Sequence, residues 1–216
     1  MKLVLFDLDD TLLSGDTEGE WVHYMLAKGI VKDDSFLEKM SAFTNSYRKG
    51  KLDIYEYSNF LLNPITGIKV KELQNTFKEF SKEVVRKLSD ETTETLLNLH
   101  ASDECVITSG SLSFLVKGIS SELGIQHYFG TDAEIIEGSF TGKVSGIPNF
   151  SDEKVRRIRG WIGSKSFREI YAYSDSVHDL PLLEYSDFPT AVNPDIQLME
   201  IAERENWKID RTRIKD

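Results

Sequence analysis

Three carboxylates lie within four positions of one another near the start of the chain, in the run Asp7-Leu8-Asp9-Asp10-Thr11. They follow the apolar run Leu3–Phe6, which is typical of a short buried strand. Carboxylates this close repel one another unless a positive charge neutralises them, and the cluster itself contains no Lys or Arg. Because hard oxygen ligands favour Mg²⁺, we expect a magnesium ion at the tip of this strand.

The same acids could also carry out a reaction. A carboxylate can attack phosphorus and form an aspartyl-phosphate, which divides a difficult hydrolysis into two easier steps. We assign this role to Asp7, since it adjoins the buried strand. Asp9 could protonate the leaving oxygen and later deprotonate the attacking water. The alternative is a polar turn between a strand and a helix, in which the acids only cap the helix.

Two more polar stretches follow apolar runs further along the chain. Ser109-Gly110-Ser111 comes after Cys105–Thr108, and Ser174-Asp175-Ser176 comes after Ile170–Tyr173. In open parallel sheets, ligands bind at the carboxyl ends of the strands. We therefore expect these two stretches to meet the acid cluster at one edge of a sheet.

Each stretch offers candidate ligands. Asp175 is predicted to bind the metal. Asp179 is predicted to be a second carboxylate near the same ion, which either binds it or orients its neighbours and waters. Ser109 and the flexible Gly110 could hold a phosphate at a helix N-terminus, although the adjacent Thr108 leaves that assignment open by one residue.

A lysine stands in an unfavourable helical position. If Ser151 caps the next helix, Lys154 falls in its first turn, where the helix dipole disfavours a cation. This placement predicts that Lys154 neutralises the transferred phosphoryl group. Two alternatives stay open: Lys143 has that role instead, or Lys154 is an ordinary surface lysine. His178, between Asp175 and Asp179, is expected to be solvated.

The apolar runs predict the elements that position these groups. The four predicted strands are Leu3–Phe6, Cys105–Thr108, Ile170–Tyr173 and Pro189–Val192. Helical stripes of apolar residues occur in Leu112–Leu123 and Val155–Ile162. Alternating strands and helices predict a parallel sheet that is covered on both faces.

A long insert separates the first two predicted strands. It contains helix-start patterns at Thr17…Glu20, Ser35…Glu38 and Asp53…Glu56. We interpret residues 15–85 as a helical cap, and residues 1–14 and 86–216 as the α/β core. The core would also contain a helix near 87–104, a hairpin at Ala133–Pro148, a helix at Ile196–Arg204 and a short edge strand at Trp207–Ile209.

Composition narrows the functional class. The 216 residues carry a net charge of −10, which argues against a general binder of nucleic acid or anionic membrane. No window approaches the ~18 apolar residues of a membrane span. The chain has one cysteine, Cys105, which fits a reducing, cytoplasmic setting. We expect a monomer or a homodimer.

Four motifs together resemble those of the haloacid-dehalogenase-like phosphatase superfamily. They are, in chain order, Asp7–Thr11, Ser109-Gly110, Lys154 and Ser174–Pro181. The stretch Tyr173–Glu184, the run Ala191–Asp195 and the insert between the first two motifs are similar to the phosphoserine-phosphatase-like branch.

The resemblance implies a Rossmann-like core with an inserted cap, and an aspartyl-phosphate mechanism. It implies that Asp7 is the nucleophile and a metal ligand, and that Asp9 is the acid/base whose backbone carbonyl also binds Mg²⁺. It further implies that Ser109 and Lys154 bind the phosphoryl group. Asp175 would complete the metal site, with support from Asp179.

The same resemblance suggests substrate-binding residues. In phosphoserine phosphatases, an acid shortly after the first motif binds the substrate ammonium, and an arginine of the cap binds its carboxylate. Asp16 stands near the former position, with Glu20 as the alternative, and Arg48 could be the latter. Glu20 could instead complete a capping box with Thr17, and Arg48 could belong to a solvated basic turn.

We therefore expect a Mg²⁺-dependent phosphomonoester hydrolase that acts on a small phosphorylated metabolite. Phosphoserine and histidinol phosphate both carry an ammonium group, so Asp16 does not distinguish them. One alternative is a phosphotransferase that passes the phosphoryl group to an alcohol. Another is a signalling module with a long-lived phospho-aspartate, against which the large insert and Asp9 argue.

Overall fold

A six-stranded parallel sheet forms the centre of the molecule. The computed structural model describes residues 1–33 and 35–211, except for the side chain of Arg48. The strands of the sheet are β1 (Lys2–Phe6), β2 (Glu104–Leu112), β3 (His127–Thr131), β6 (Glu169–Ser174), β7 (Phe188–Val192) and β8 (Lys208–Asp210). Their order across the sheet is β3-β2-β1-β6-β7-β8. A separate antiparallel hairpin consists of β4 (Ala133–Ile136) and β5 (Ser139–Val144).

Strand β1 is buried on both faces because it lies in the middle of the sheet. Leu5 pairs with Val106 of β2 and with Ala172 of β6. Successive side chains of β1 point to opposite sides, so Leu3 and Leu5 join one apolar cluster while the residues between and after them join the other. The central position of β1 places Asp7, the next residue, in the middle of the carboxyl edge.

Helices cover both faces, as the sequence predicts. Helices α7 (Asp152–Ile162), α8 (Leu180–Tyr185) and α9 (Ile196–Arg204) pack on one face, and α5 (Glu91–Leu99) and α6 (Ser113–Glu122) pack on the other. In the described ranges, no helix has both the length and the apolar character needed to cross a membrane. This architecture confirms the predicted α/β class.

Four helices form the insert between β1 and α5. They are α1 (Thr17–Ala27), α2 (Ser35–Arg48), α3 (Ile54–Leu62) and α4 (Val70–Leu88). The apolar face of α4 contacts Trp21 of α1 through Phe77 and Phe80. The predicted limit of the cap at residue 85 falls inside α4, and the division into two domains stays a prediction.

The end of β2 differs from the prediction, and one strand was not predicted. Strand β2 continues through Ser109-Gly110-Ser111 to Leu112, so this motif ends the strand rather than following it. Strand β3 was not predicted. The first three residues of β3 are only half-buried, and an edge strand of this kind lacks the continuous apolar run that marked the others. The hairpin and α9 are confirmed, and β8 lies one residue further along than predicted.

We expect that replacing Gly118 by Ala destabilises the protein. A Cβ at Gly118 in α6 would lie 2.9 Å from the Cβ of Ser81 in α4 and would overlap its Oγ. Such crowding costs about 1–3 kcal/mol.

Gly160 is the matched control, because it is also helical and a Cβ there meets nothing within 4 Å. Gly160→Ala should leave the free energy of unfolding equal or raise it by up to about 1 kcal/mol. Urea denaturation of both variants measures the difference, and equal stabilities would contradict the close packing of α4 on α6.

Candidate active site

The predicted motifs converge on one cavity of about 420 Å³ at the carboxyl edge of the sheet. Its core side is lined by Asp7, Asp9, Ser109, Lys154 and Asp175, and side chains of the insert line the opposite side. A larger and more open depression of about 790 Å³ lies elsewhere on the surface and contains none of the predicted site residues. The smaller cavity is therefore the candidate active site.

Asp7 stands at the end of β1, where its backbone N–H donates to the carbonyl of Tyr173 at 3.0 Å. Its Oδ1 accepts a hydrogen bond from Lys154 Nζ at 2.7 Å, and its Oδ2 accepts one from Thr11 Oγ1 at 3.1 Å. Burial raises the pKa of Asp7 to about 7, and the charges of Asp179 and Asp9 act in the same direction while Lys154 opposes them. The group is held in place and lies in the cavity, as a nucleophile must.

Lys154 supplies the positive charge that the acid cluster lacks in sequence. Its Nζ donates to Asp7 and to Asp179, both at 2.7 Å, and its side chain is only 3% exposed. Burial works against the charged form, but Asp179 and Asp7 outweigh it and raise the pKa of Lys154. Lys143, the alternative, is exposed on β5 and does not line the cavity. The neighbouring sequence offers the cluster no lysine or arginine, which made a metal the natural candidate, but the fold also brings in a cation from a residue 147 positions away.

Asp9 is held by hydrogen bonds through both of its carboxylate oxygens. Oδ1 accepts from the backbone N–H of Thr17 at 2.7 Å, and Oδ2 accepts from Ser111 Oγ at 2.8 Å and from Ser109 Oγ at 3.4 Å. Burial raises the pKa of Asp9 to about 6, with a further contribution from Asp16. A carboxyl group with a pKa near neutrality suits proton donation and acceptance.

The arrangement of Asp7 and Asp175 fits a magnesium ion. The Thr11 hydroxyl lies 3.1 Å from an oxygen of Asp7 and 3.2 Å from an oxygen of Asp175, which holds the two carboxylates close together. Burial and the neighbouring charge of Asp7 raise the pKa of Asp175 well above its usual range. No group of three His, Cys, Asp or Glu side chains in the described part has metal-binding geometry. Mg²⁺ commonly needs only one or two carboxylates besides substrate phosphate and water.

Asp179 lies against the lysine. Its Oδ2 accepts from Lys154 Nζ at 2.7 Å and from Ser174 Oγ at 2.8 Å. Of the two roles that the sequence left open, this contact favours the orientation of neighbouring groups over direct metal binding.

The end of β2 is fixed by contacts that the sequence did not reveal. Asn149 Nδ2 donates to Thr108 Oγ1 at 3.1 Å and to the carbonyl of Ser109 at 2.9 Å. Thr131 Oγ1 donates to the carbonyl of Gly110 at 2.6 Å. Since Thr108 is engaged by Asn149 and does not line the cavity, the geometry favours Ser109 over Thr108 as the phosphate-binding hydroxyl.

The predicted substrate-binding residues have different environments. Asp16 lines the cavity, but one of its oxygens caps α1 by accepting two backbone N–H bonds at 2.9 and 3.0 Å. The predicted capping box of Thr17 and Glu20 is wrong, because the cap of α1 is Asp16. Glu20 does not line the cavity and pairs with Lys87 at 2.6 Å. The side chain of Arg48 lies outside the described residues.

Several residues of the cavity were missed by the sequence analysis. One side of the cavity is an aromatic wall that consists of Tyr47 from α2 and of Phe150 and His178 from the core. The ring centres of Tyr47 and His178 are 4.8 Å apart, and those of Phe150 and His178 are 5.0 Å apart. Glu18 and Tyr57 lie on the same cavity. His178 is half-buried in this wall rather than solvated. These residues come from separate segments and share no local pattern that could have revealed them.

Comparisons with known proteins show the family of the chain. A family model for haloacid dehalogenase-like hydrolases matches residues 4–184. A histidinol-phosphatase from Neisseria meningitidis is 31% identical over 96% of this chain and 97% of its own length. The phosphoserine phosphatase SerB1 of Mycobacterium tuberculosis is 27% identical over 97% of this chain and 70% of its own length.

Solved structures show the same fold. A protein of unknown function from Bordetella pertussis Tohama I has a TM-score of 0.86 and 32% identity, with 97% of each chain covered. A substrate-bound phosphoserine phosphatase has a TM-score of 0.68 at 17% identity, and the match covers 98% of this chain and 93% of the other.

The chain belongs to the haloacid dehalogenase-like hydrolase family, since the matched residues include most of the sequence. Within that family it is a phosphatase, related to enzymes named for histidinol phosphate and for phosphoserine.

Removal of the buried lysine should destabilise the protein. Lys154→Met leaves Asp7 and Asp179 buried without their cation, which costs about 3–5 kcal/mol. Lys143→Met makes the same change on the surface and should alter stability by less than about 0.5 kcal/mol. Urea denaturation at pH 8 in EDTA measures both values. Similar losses in the two variants would show that Lys154 does not stabilise the acid cluster.

The stability of the metal-free protein should fall as the pH rises. An aspartate of the unfolded chain ionises near pH 4, about its unperturbed pKa, whereas Asp7 in the folded protein has a pKa of about 7. Between these values the folded state binds more protons, so the free energy of unfolding decreases with rising pH. Thermal unfolding in EDTA should give a lower midpoint at pH 7.5 than at pH 5.5. The Asp7→Asn variant should show a shallower dependence, and an equally steep dependence would exclude Asp7 as a source of it.

Proposed function

We propose that the protein is a Mg²⁺-dependent phosphomonoester hydrolase that forms an aspartyl-phosphate on Asp7. The observation that supports this proposal most directly is the contact of Asp7 with Lys154 at 2.7 Å, inside a cavity that also contains Asp9. Asp7 can attack phosphorus, Lys154 can offset the charge of the phosphoryl oxygens, and Asp9 can exchange a proton.

In the first step, a carboxylate oxygen of Asp7 bonds to phosphorus and the ester P–O bond breaks. Asp9 donates its proton to the departing oxygen, so the product leaves as an alcohol. In the second step, a water oxygen attacks phosphorus while Asp9 accepts a proton from it. The bond from phosphorus to Asp7 breaks, which releases inorganic phosphate and restores both carboxyl groups.

The remaining groups hold the phosphoryl group and balance its charge. Lys154, oriented by Asp179, donates to Asp7, and the Ser109 hydroxyl donates to Asp9. Mg²⁺ would be held by Asp7, Asp175 and the backbone carbonyl of Asp9, and it would supply further positive charge to the phosphoryl oxygens. The insert, residues 15–85, would act as a cap that excludes bulk water from the reaction.

The substrate is a small phosphorylated metabolite with a positively charged group. The acidic lining of the cavity supports this class, because Asp16 and Glu18 lie beside Asp9. Histidinol phosphate and phosphoserine, for which the related enzymes are named, are the two candidates.

We expect Asp7→Asn to abolish phosphate release without unfolding the protein. The amide is a poor nucleophile, so turnover should fall by several orders of magnitude, while circular dichroism stays unchanged. Asp33→Asn is the control, because Asp33 is exposed and lies outside the cavity. The assay follows phosphate release from histidinol phosphate, phosphoserine and p-nitrophenyl phosphate, with Mg²⁺ and with EDTA.

Four outcomes of this assay would contradict the proposal. Full activity of Asp7→Asn would exclude Asp7 as the nucleophile, and full activity in EDTA would exclude the metal. Transfer of phosphate to an added alcohol in preference to water would indicate a phosphotransferase. A stable phosphoprotein without turnover would indicate a signalling module.

A further inference from the structure

Strand β2 is irregular where its polar end reaches the cavity. Thr108 pairs with Phe129 of β3, but the next pair in the register is Leu112 with Thr131. Three residues of β2, Ser109–Ser111, therefore stand opposite a single residue of β3 and form a bulge. Because a bulge interrupts the hydrogen bonding of the sheet, the conformation of this β2 bulge must be fixed by other contacts.

Asn149 and Thr131 provide those contacts. Asn149 Nδ2 donates to the carbonyl of Ser109 at 2.9 Å and to Thr108 Oγ1 at 3.1 Å. Thr131 Oγ1 donates to the carbonyl of Gly110 at 2.6 Å and accepts from the backbone N–H of Asn149 at 3.1 Å. Two linked side chains therefore hold two successive carbonyls of the β2 bulge, in place of the hydrogen bonds that a regular sheet would supply.

The burial of Asn149 has a cost for stability. The residue is fully buried, and its Oδ1 has no hydrogen-bond partner among the described residues. An unpaired buried acceptor destabilises the folded state, whereas a leucine of similar branched shape would bring no polar atom into this place. Departures of this kind are expected at functional sites. The amide is therefore expected to serve the adjacent cavity rather than stability.

The β2 bulge presents the Ser109 hydroxyl to the cavity. Ser109 Oγ accepts a hydrogen bond from the backbone N–H of Ser111 at 3.0 Å, which fixes the position of the oxygen. Its own contact with Asp9 Oδ2 is long, at 3.4 Å, while Ser111 Oγ donates to the same oxygen at 2.8 Å. The hydrogen of the Ser109 hydroxyl is therefore weakly held and can be donated to a phosphoryl oxygen.

Strand β3 confines the far end of the β2 bulge. A Cβ at Gly130 would lie 2.7 Å from the carbonyl oxygen of Ser111 and 2.7 Å from the Cα of Ser113. The backbones of the two strands are thus in close contact, and only a glycine fits at this position. With the far end of the bulge restrained in this way, the orientation of Ser109 depends on the amide of Asn149.

We propose that Asn149 is a positioning residue of the reaction, which orients the Ser109 hydroxyl toward the transferred phosphoryl group by holding the carbonyl of that serine. This inference rests on the proposed function and goes beyond it. The hydrogen bonds of Asn149 to other described residues go to β2 and β3. Its effect should therefore be the same for every leaving group, since the phosphoryl group is common to all the esters.

The first experiment compares Asn149→Leu with Asn59→Leu. The first substitution removes both donated hydrogen bonds, and the second removes a side-chain bond outside the cavity, from Val144 N–H to Asn59 Oδ1 at 2.8 Å. Because a misplaced group can cost about a hundredfold in rate, Asn149→Leu should lower kcat about tenfold to hundredfold. The factor should be equal for histidinol phosphate and p-nitrophenyl phosphate, whereas Asn59→Leu should change kcat less than about twofold. Unequal factors would place the effect on the leaving group and overturn the inference.

A double-mutant cycle with Ser109→Ala tests whether Asn149 acts through Ser109. If it does, the double variant should lose no more activity than Ser109→Ala alone, to within about twofold. Losses that multiply would show that Asn149 stabilises the site without orienting Ser109, and an unchanged kcat in Asn149→Leu would show that the amide is not needed. Either result overturns the inference. If circular dichroism shows that Asn149→Leu does not fold, Asn149→Ala takes its place in the same cycle.

Binding of inorganic phosphate separates this inference from the proposed function. Calorimetry in the presence of Mg²⁺ should show that Asn149→Leu and Ser109→Ala each bind phosphate about tenfold or more weakly than the wild type does. The double variant should bind it no more weakly than Ser109→Ala.

The outcomes of the two measurements are distinct. If phosphate release depends on Asp7 but neither kcat nor phosphate binding depends on Asn149, the inference fails and the proposed function stands. If no ester is hydrolysed but phosphate binding shows the expected coupling, the proposed function fails and the positioning role of Asn149 at an anion site stands. If the wild type neither hydrolyses the esters nor binds phosphate, both fail.

Discussion

The buried contact of Lys154 with Asp7 and Asp179 is the interaction on which the site depends. Charges removed from water cost several kcal/mol each, and they are tolerated only where opposite charges and hydrogen bonds meet them with good geometry. Lys154 lies 2.7 Å from both partners, and Ser174 and Thr11 complete the hydrogen bonding of the two acids. This contact can form only if the ends of β1 and β6 and the first turn of α7 lie next to one another.

One lysine does not neutralise all the acids that gather there. Asp9 and Asp175 lie in the same cavity, and burial together with the charges of other acids raises the pKa of each. The excess negative charge favours a divalent cation. Burial, with a further contribution from the charge of Asp16, places the pKa of Asp9 at about 6, in the range that proton transfer requires. One electrostatic feature, the group of acids buried around Lys154, therefore connects the proposed metal site with the proposed acid/base.

Parts of this arrangement could be predicted because they are encoded locally. The acid cluster ends a strand whose apolar run is visible in sequence, and Lys154 stood out because the dipole of its helix opposes a cation in the first turn. The end of β2 was harder to predict from the sequence, because Ser109 continues the strand and is held by Asn149, which lies forty positions away. The capping box predicted at Thr17 was wrong for a different reason. Asp16 and Thr17 are both residues that cap helices well, and only the path of the chain after β1 determines which of them is the cap.

The sequence by itself determined the parallel sheet and the convergence of its polar strand ends. The period of apolar residues and the order of strands and helices are local properties, and parallel strands bring their carboxyl ends to one edge. Only the tertiary structure decided which lysine neutralises Asp7 and which acid of α1 faces the cavity. Those choices depend on the packing of α7 and α1 against the sheet and the insert, which sets the rotation of each helix and is determined by contacts between residues far apart in the chain.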